Sequence, residues 1–504
     1  MLGTVFLIAN CGLVYELLAG TISAYLTGSA VFQFSLVVGI FMAAMGFGAY
    51  LSRFIEEDLF DAFISVELGA GVVGGFSALI LYLAFIYLNH YALVLYGVCG
   101  MVGTFIGMEI PLVLRLLEDE LSLKLNVSAV LGLDYVGALT ASIAFPIVLL
   151  PYLGQMATAF MFGLLNVSVA ILCAWVFRDR LTTPKMTFLK SGTAGVLLLI
   201  GLTFSGTLVS AFEAKLFTDT IVLSETTPHQ RIVMTRWRED LRLYLNGNLQ
   251  FSTLDEHRYH ETLVHTAMGF SGSRKKVLIL GGGDGMAARE VLKYDDVERV
   301  DLVELDERVT DLFSKNPQLT DLNGGSLNDA RVHIHNRDAF KFLEEMSAER
   351  QYDRIIADFP DPNNPGIGKV YSVEFYRMLF RHLSGEGVFI TQATSAYRSP
   401  TAFRCIEKSI AKAPHPRTRQ PVDVRPIHAY VPSLGDWGFV LAAPRKVDRK
   451  DWSLEVESDY LNPEQFAAHF VFPKDRAGRP VEANHLDNQV LVRYYERDWQ
   501  DATP

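Results

Sequence analysis

The sequence predicts a multi-span α-helical domain followed by an α/β domain, in which a small antiparallel β lead-in precedes a doubly wound sheet. Three observations carry this. Charged residues crowd into the second part of the chain, seven apolar stretches fill the first, and from Lys275 onward strand-like and helix-like segments alternate through glycine-rich turns. The whole-chain averages, 504 residues with 50% apolar, 20% charged and mean hydropathy +0.21, blend two populations and describe neither. Residues 1–213 hold 7 Lys and Arg against 13 Asp and Glu, and residues 214–504 hold 38 against 43. The net charge of −11 therefore divides as −6 and −5.

A helix needs about 20 mostly apolar residues to cross the hydrocarbon core of a bilayer. Seven stretches qualify, at about 3–26, 31–52, 62–88, 91–114, 127–150, 154–177 and 191–213. They set the expected organisation: a membrane domain at 1–213 with about seven transmembrane helices, a small β subdomain with a linking helix at 214–270, and an α/β domain with a C-terminal extension at 271–504. The first stretch has no basic leader and runs straight into a second span, unlike a cleaved signal peptide. Arg53, Arg115, Lys124, Arg178, Arg180, Lys185 and Lys190 fall in loops two, four and six or at their edges, which the positive-inside rule places in the cytoplasm. With seven spans the soluble part emerges on the opposite face; an eighth or re-entrant segment reverses that. The expected localisation is the cell membrane, as a multi-pass protein whose partner is the lipid bilayer.

Glu16, Glu67, Glu109 and Asp134 lie inside these spans. An ionisable residue there costs at least ~2.5 kcal/mol at the bilayer centre and normally faces the bundle interior. No Lys or Arg within the spans is available to pair with the four, which favours a cation-facing cavity over internal salt bridges. The run containing Gly69, Gly71, Gly74 and Gly75 reads as close helix packing. The acidic total argues against a nucleic-acid partner, which needs a clustered positive face. Cys11, Cys99, Cys173 and Cys405 have no metal-ligand spacing and read as small buried residues.

Beyond Lys215 the apolar period changes to two. TIVLSETTPHQRIVMTRW and LRLYLNGNLQFS give a small antiparallel sheet at about 217–253, with Asn246-Gly247 at a hairpin turn, then a helix at about 255–270. KKVLILGGGDGMAAREVLKY runs from a buried strand through a glycine-rich turn into a helix, and RVDLVELDERVTDLF repeats that step. Later strands are expected at 331–335, 353–358, 387–392 and 437–442. Ligands of such sheets sit beyond the carboxyl ends of the strands, so chemistry is sought in four loops. They hold Gly281 to Gly285; Glu304, placed to take ribose hydroxyls; Arg337-Asp338-Ala339, suited to an adenine edge; and Asp358 with Asp361, three residues apart past an apolar strand. In isolation Asp361 before Pro362 reads equally as a turn residue and Asp358 as a cap. Together with Asp284 they converge on one crevice, where three carboxylates repel one another unless the ligand is cationic.

TPHQRIVM, LYLNGNLQFSTLDEHRYHE, VLILGGGDG, LVELD and YDRIIADFPDP, in this order and spacing, resemble spermidine synthases, the polyamine aminopropyltransferases. With the amino-terminal spans, including GLVYELLAG at Gly12 to Gly20, the chain is similar to the integral-membrane branch of that family. The resemblance implies a Rossmann-like sheet of the class I methyltransferase type. It also implies transfer of an aminopropyl group from decarboxylated S-adenosylmethionine, a co-substrate, to putrescine, giving spermidine and methylthioadenosine with no prosthetic group and no metal. Position by position, Asp358 matches the general base; Asp361, with Tyr259 beside it, matches the carboxylate that holds the amine; His260 and Asp284 match polyamine-side contacts. Gln230, Gly281, Glu304, Asp338, Ala339 and Pro365 match the cofactor side. Soluble members assemble as dimers or tetramers, which allows a homo-oligomer here.

Two departures bear on the acceptor amine. AYVPSLGDWGF carries Leu434 and lacks the tyrosine of the family's usual run, and NNPGIGKVYS differs from the common loop after the paired aspartates. The alternative function is a polyamine transporter or sensor with a ligand-binding, non-catalytic synthase-like domain, favoured by the intramembrane carboxylates and opposed by the intact Asp358 and Asp361. An S-adenosylmethionine-dependent methyltransferase on the same fold is disfavoured by Asp284 and the aspartate pair.

Overall fold

A computed structural model describes residues 2–27, 30–118, 123–347, 349–416, 419–474 and 480–502. The chain falls into two compact units, Met1–Ile221 and Val222–Pro504.

The first unit is entirely helical up to its last residues: α1 (Leu2–Thr27), α2 (Ala30–Ser52), α3 (Leu59–Tyr87), α4 (Tyr91–Leu116), α5 (Leu123–Ala144), α6 (Gly154–Val176), α7 (Pro184–Thr203) and α8 (Ser205–Leu216). Among the described residues, six helices are long and apolar enough to cross a membrane by length and composition when residues 124–176 count as one helix of 53 residues. That segment is not a single rod. Pro146 and Pro151 lack amide donors, residues 145–153 widen into a π-helix, and Gly154 adopts φ +72°. Thr158 Oγ1 then reaches the Leu149 carbonyl at 3.4 Å, a contact impossible on a straight helix, where residues nine apart are separated by about 13 Å. The segment is broken here, and α5 and α6 are separate helices.

The last expected span, 191–213, is displaced. Pro184, suited to the first helical turn, starts α7 seven residues earlier and carries Lys185 and Lys190 into the helix; α7 stops at Phe204 and α8 follows as a separate element. The glycines of α3 do pack closely. A Cβ on Gly74 would fall 2.5 Å from the Tyr15 ring, and one on Gly75 would fall 2.5 Å from Leu198. Glu67 and Glu109 are buried in the bundle, whereas Glu16 and Asp134 are half-buried.

The second unit begins with a meander, β1 (Thr220–Thr226), β2 (Arg231–Trp237), β3 (Asp240–Leu245) and β4 (Asn248–Ser252), in that spatial order. Asn246 and Gly247, both at positive φ, turn β3 into β4. Helix α9 (Glu256–Met268) leads into a seven-stranded sheet: β5 (Lys276–Gly281), β6 (Arg299–Glu304), β7 (Val332–Asn336), β8 (Tyr352–Asp358), β9 (Leu383–Ser395), β10 (Asp423–Val431) and β11 (Gly435–Ala443). The helices that matter for the site are α10 (Met286–Leu292), α11 (Glu307–Lys315), α12 (Ala339–Glu345), α13 (Pro400–Ala411) and α14 (Val490–Ala502).

The spatial order is β10-β11-β9-β8-β5-β6-β7. Strands β5 to β9 are parallel, while β11 runs antiparallel to both β9 and β10. The expectation of a parallel sheet is therefore corrected to a mixed one with an antiparallel edge. Strand β10 escapes sequence reading because Arg425, Pro426 and His428 interrupt its apolar alternation, and Pro is tolerated there because β10 is an edge strand. Strand β5 has β8 on one side and β6 on the other, so the strand order reverses there and opens a crevice at the carboxyl ends.

One buried carboxylate fixes α9 against the segment that follows the sheet. Glu261 accepts hydrogen bonds from the amides of Asp459 (2.8 Å), Tyr460 (2.9 Å) and Leu461 (2.9 Å) and from the Ser458 hydroxyl. Glu261→Ala strands these donors and should destabilise the protein by about 2–3 kcal/mol, read as a lowered melting temperature of the full chain; an unchanged melt would remove Glu261 from this role.

Candidate active site

The carboxyl ends of β5, β6 and β8, with the loop after β7, converge on a cavity of about 390 Å³. Its walls include Asp284, Asp358 and Asp361, so the three carboxylates expected in one crevice are together there. The backbone explains how Asp358 arrives. Gly281 pairs with Asp358 across β5 and β8 and takes φ +81°; a Cβ on Gly281 would fall 2.1 Å from the Asp358 carbonyl oxygen. Only glycine permits that approach.

Asp358 is held by Tyr259, whose hydroxyl donates to Oδ1 at 2.6 Å. Burial raises Asp358 to about 6. The nearby His260 imidazolium pulls it down, while Asp284 pushes it up. Asp361 is likewise raised by burial to about 6, against hydrogen bonds from Tyr495 Oη (2.8 Å) and Thr394 Oγ1 (3.3 Å) to its Oδ2 and the polar side chain of Gln392 nearby. Asp361 Oδ1 is buried without a hydrogen-bond partner. Thr394 is a β-branched residue at φ +59°, a rare and costly conformation that the surroundings must enforce.

His260 projects from α9 beside Tyr259. Burial works to lower its pKa, but Glu256, 2.6 Å from Nδ1, holds it up at about 9, so the ring is an imidazolium near neutral pH. Burial works to raise Glu256, and His260 and Arg289 (3.0 Å) outweigh it, holding the carboxylate at about 2. The positive charge of His260 is thus matched by its own buried partner.

Among the residues expected on the cofactor side, Glu304 ends β6 with Oε2 accepting from the Gly283 amide (3.2 Å) and Oε1 from the Asp306 amide (3.0 Å). Burial raises it to about 7. Gln230 comes from the meander and donates to Asp306 Oδ2 at 3.0 Å. Gly281 and Ala339 line the cavity. Asp338 lines it too, but its carboxylate caps α12 through the Phe340 amide (2.8 Å) and pairs with Lys369 Nζ (2.6 Å). Burial would raise Asp338; Lys369 and the capping amides hold it below the ordinary carboxylate range. Pro365 is not among the lining residues, although its neighbours Asn364 and Gly366 are.

Sequence reading missed Gln392, Trp437, Lys369, Thr394 and Tyr495. Gln392 and Trp437 line the cavity at the C-terminal part of β9 and the start of β11, and a strand-end rule applied to β9 would have found Gln392. No local signal marks Tyr495, 134 residues from its partner. Leu434 lines the cavity as well, in a loop fixed by Ser433, whose amide (2.6 Å) and hydroxyl (2.8 Å) both donate to Asp255.

Residues 256–451 match the spermine/spermidine synthase domain. The chain is 46% identical over 497 residues to a polyamine aminopropyltransferase of Leptospira interrogans, covering 98% of each chain. It is 44% identical to polyamine aminopropyltransferase 2 of Ralstonia nicotianae, over 98% of this chain and 97% of that one. A solved spermidine synthase in complex with the transition state analogue AdoDATO is 28% identical over 51% of this chain and 86% of its own, with a TM-score of 0.46. Near-full-length identity of this order, with the family's domain laid over the sheet and its cleft, makes this chain a member of the polyamine aminopropyltransferase family.

Proposed function

We propose that the chain is a membrane-bound spermidine synthase, transferring the aminopropyl group of decarboxylated S-adenosylmethionine to putrescine. The observation that carries the acceptor class is the convergence of Asp284, Asp358 and Asp361 on one buried cleft. Such a cleft favours ligands that bring positive charge, here a sulfonium and amines.

A protonated amine has no free lone pair. In this reading Asp358, ionised above pH of about 6 and oriented by Tyr259, takes one proton from the ammonium group. The nitrogen lone pair then forms a bond to the methylene carbon next to sulfur. The carbon–sulfur bond breaks, its electrons neutralise the sulfonium, and methylthioadenosine leaves without needing an acid. Asp361 Oδ1 holds the amine in line, and alignment of the two reactants supplies much of the rate. Glu304 and Gln230 are placed to take the adenosyl part. Asp284, its Oδ1 fixed by the Met286 amide at 2.9 Å, faces the propylamine tail and disfavours ordinary S-adenosylmethionine, whose extra carboxylate it repels. The cofactor role of Asp338 is confined to what its capped, Lys369-paired carboxylate leaves free.

The membrane reading rests on the outer face of the bundle. Met42, Leu93, Leu139 and Trp175 are each at least 60% exposed in helices whose interiors are also apolar, and a helix hydrophobic all round suits lipid rather than water. The proposed place of the protein is the cell membrane, as a multi-pass protein.

Incubated with decarboxylated S-adenosylmethionine and a panel of amines, the protein should release methylthioadenosine fastest with putrescine; no product with any amine would overturn the catalytic reading, and a faster amine would reassign the acceptor. Asp358→Asn should lower kcat about 10²- to 10⁴-fold while donor binding, measured by calorimetry, stays within a factor of a few; an active variant would remove Asp358 as the base. After cell lysis and alkaline carbonate washing, the full chain should stay in the membrane pellet, and release into the supernatant would refute the membrane reading.

A further inference from the structure

Helix α14 lies outside the residues matched by the synthase domain, yet it reaches the site. It is docked by specific polar contacts. The Asp498 carboxylate accepts from the Thr401 (2.7 Å) and Ala402 (3.0 Å) amides at the start of α13, where free amide groups and the helix dipole favour negative charge. Upstream, the Asn484 backbone amide donates to the Ser409 hydroxyl oxygen at 2.8 Å, and its side-chain amide donates to the Gly368 carbonyl at 2.9 Å. Leu491 and Tyr495 enter the core beside α13 and β9. Tyr495 lies three residues before Asp498, hence on the same helix face. The docking that seats Asp498 on α13 also aims the phenol at Asp361.

We propose that Tyr495 is a positioning residue for the acceptor amine, so that the C-terminal helix forms part of the active site. A carboxylate binds a small ammonium group well only if its oxygens point in a fixed direction. Tyr495 Oη occupies Asp361 Oδ2 at 2.8 Å, and Thr394 supports it from the longer distance of 3.3 Å. Oδ1 is left buried without a partner of good hydrogen-bond geometry, on a residue that lines the cavity beside Gln392. An orphaned carboxylate oxygen is expensive unless a ligand completes it. Within Asp361 the phenol and the ligand thus divide the two oxygens. The phenol has no share in donor binding, because the donor-side groups Glu304 and Gln230 sit on β6 and the meander.

This inference rests on the reading of Asp361 as the amine-holding carboxylate, and the test separates the two. In the full-length protein, Tyr495→Phe keeps the ring and loses only the hydroxyl. It should lower kcat/KM for putrescine about 3- to 10-fold, through KM, with the KM for the donor unchanged. Because the Tyr495 hydrogen bond favours ionised Asp361, the acidic limb of that profile should move to higher pH. Tyr495→Leu should give the same direction of change, which guards against a packing effect peculiar to Phe. In the Asp361→Asn background, Tyr495→Phe should add almost nothing, since contacting residues couple. If Asp361→Asn leaves the putrescine KM unchanged, the reading of Asp361 fails. If it raises that KM while Tyr495→Phe leaves KM and the pH profile as they were, or if the two losses simply add, the role of Tyr495 fails.

Discussion

The second unit is organised around burial of carboxyl groups on one cleft. Burial raises Asp358 and Asp361 to about 6 and Glu304 to about 7. A carboxyl whose folded pKa lies above its unfolded value contributes stability below the unfolded pKa and loses it as pH rises through the folded one. For the two aspartates that window runs from about 4 to about 6. At neutral pH the empty site therefore costs folding free energy, and a bound cation returns it. The one imidazolium nearby offsets the cost at Asp358 only in part, because His260 is also paired with Glu256.

Backbone geometry carries part of that cost. Gly281 at φ +81° lets β5 and β8 close until a Cβ would overlap the Asp358 carbonyl oxygen, and Thr394 sits at φ +59° to direct its hydroxyl to Asp361. Strain of this kind persists only where the fold over-determines it. Here the surrounding sheet does so. Ile279, Ile356 and Ile390 are fully buried on β5, β8 and β9, the strands that carry Gly281, Asp358 and Thr394.

The features legible in the sequence are those in which one stretch of chain contains its own reason. Gly281 to Gly285 after an apolar strand, Asp358 and Asp361 three residues apart, and Asn246-Gly247 between alternating strands each announce a local structure, and each is found there. What stayed hidden depended on contacts distant in sequence or on competing local preferences. Edge strand β10 tolerates Pro426 because no partner needs its amide; Pro184 overrides hydropathy in setting the start of α7; Asp338, which lines the cavity, also caps α12 and pairs with Lys369. Pro365 sits between two lining residues without lining the cavity itself.

The same distinction explains the asymmetry between the two ends of the cleft. In the proposed reading the donor end is built from strand-end loops in sequence order, through Gly281, Glu304 and Ala339, with one contribution from the meander at Gln230. The proposed acceptor end is assembled from α9, β8, β9, the Leu434 loop and α14, elements spread over more than 230 residues. An adenosyl group presents the same shape and hydroxyls to every enzyme that uses it, so strand-end loops suffice to hold it. Amines differ chiefly in the number and spacing of their charges, and distinguishing them requires carboxylates whose directions are set from outside those loops. Tyr259 from α9 and Tyr495 from α14 set those directions for Asp358 and Asp361, which places acceptor selection in the parts of the chain furthest from the glycine-rich turn.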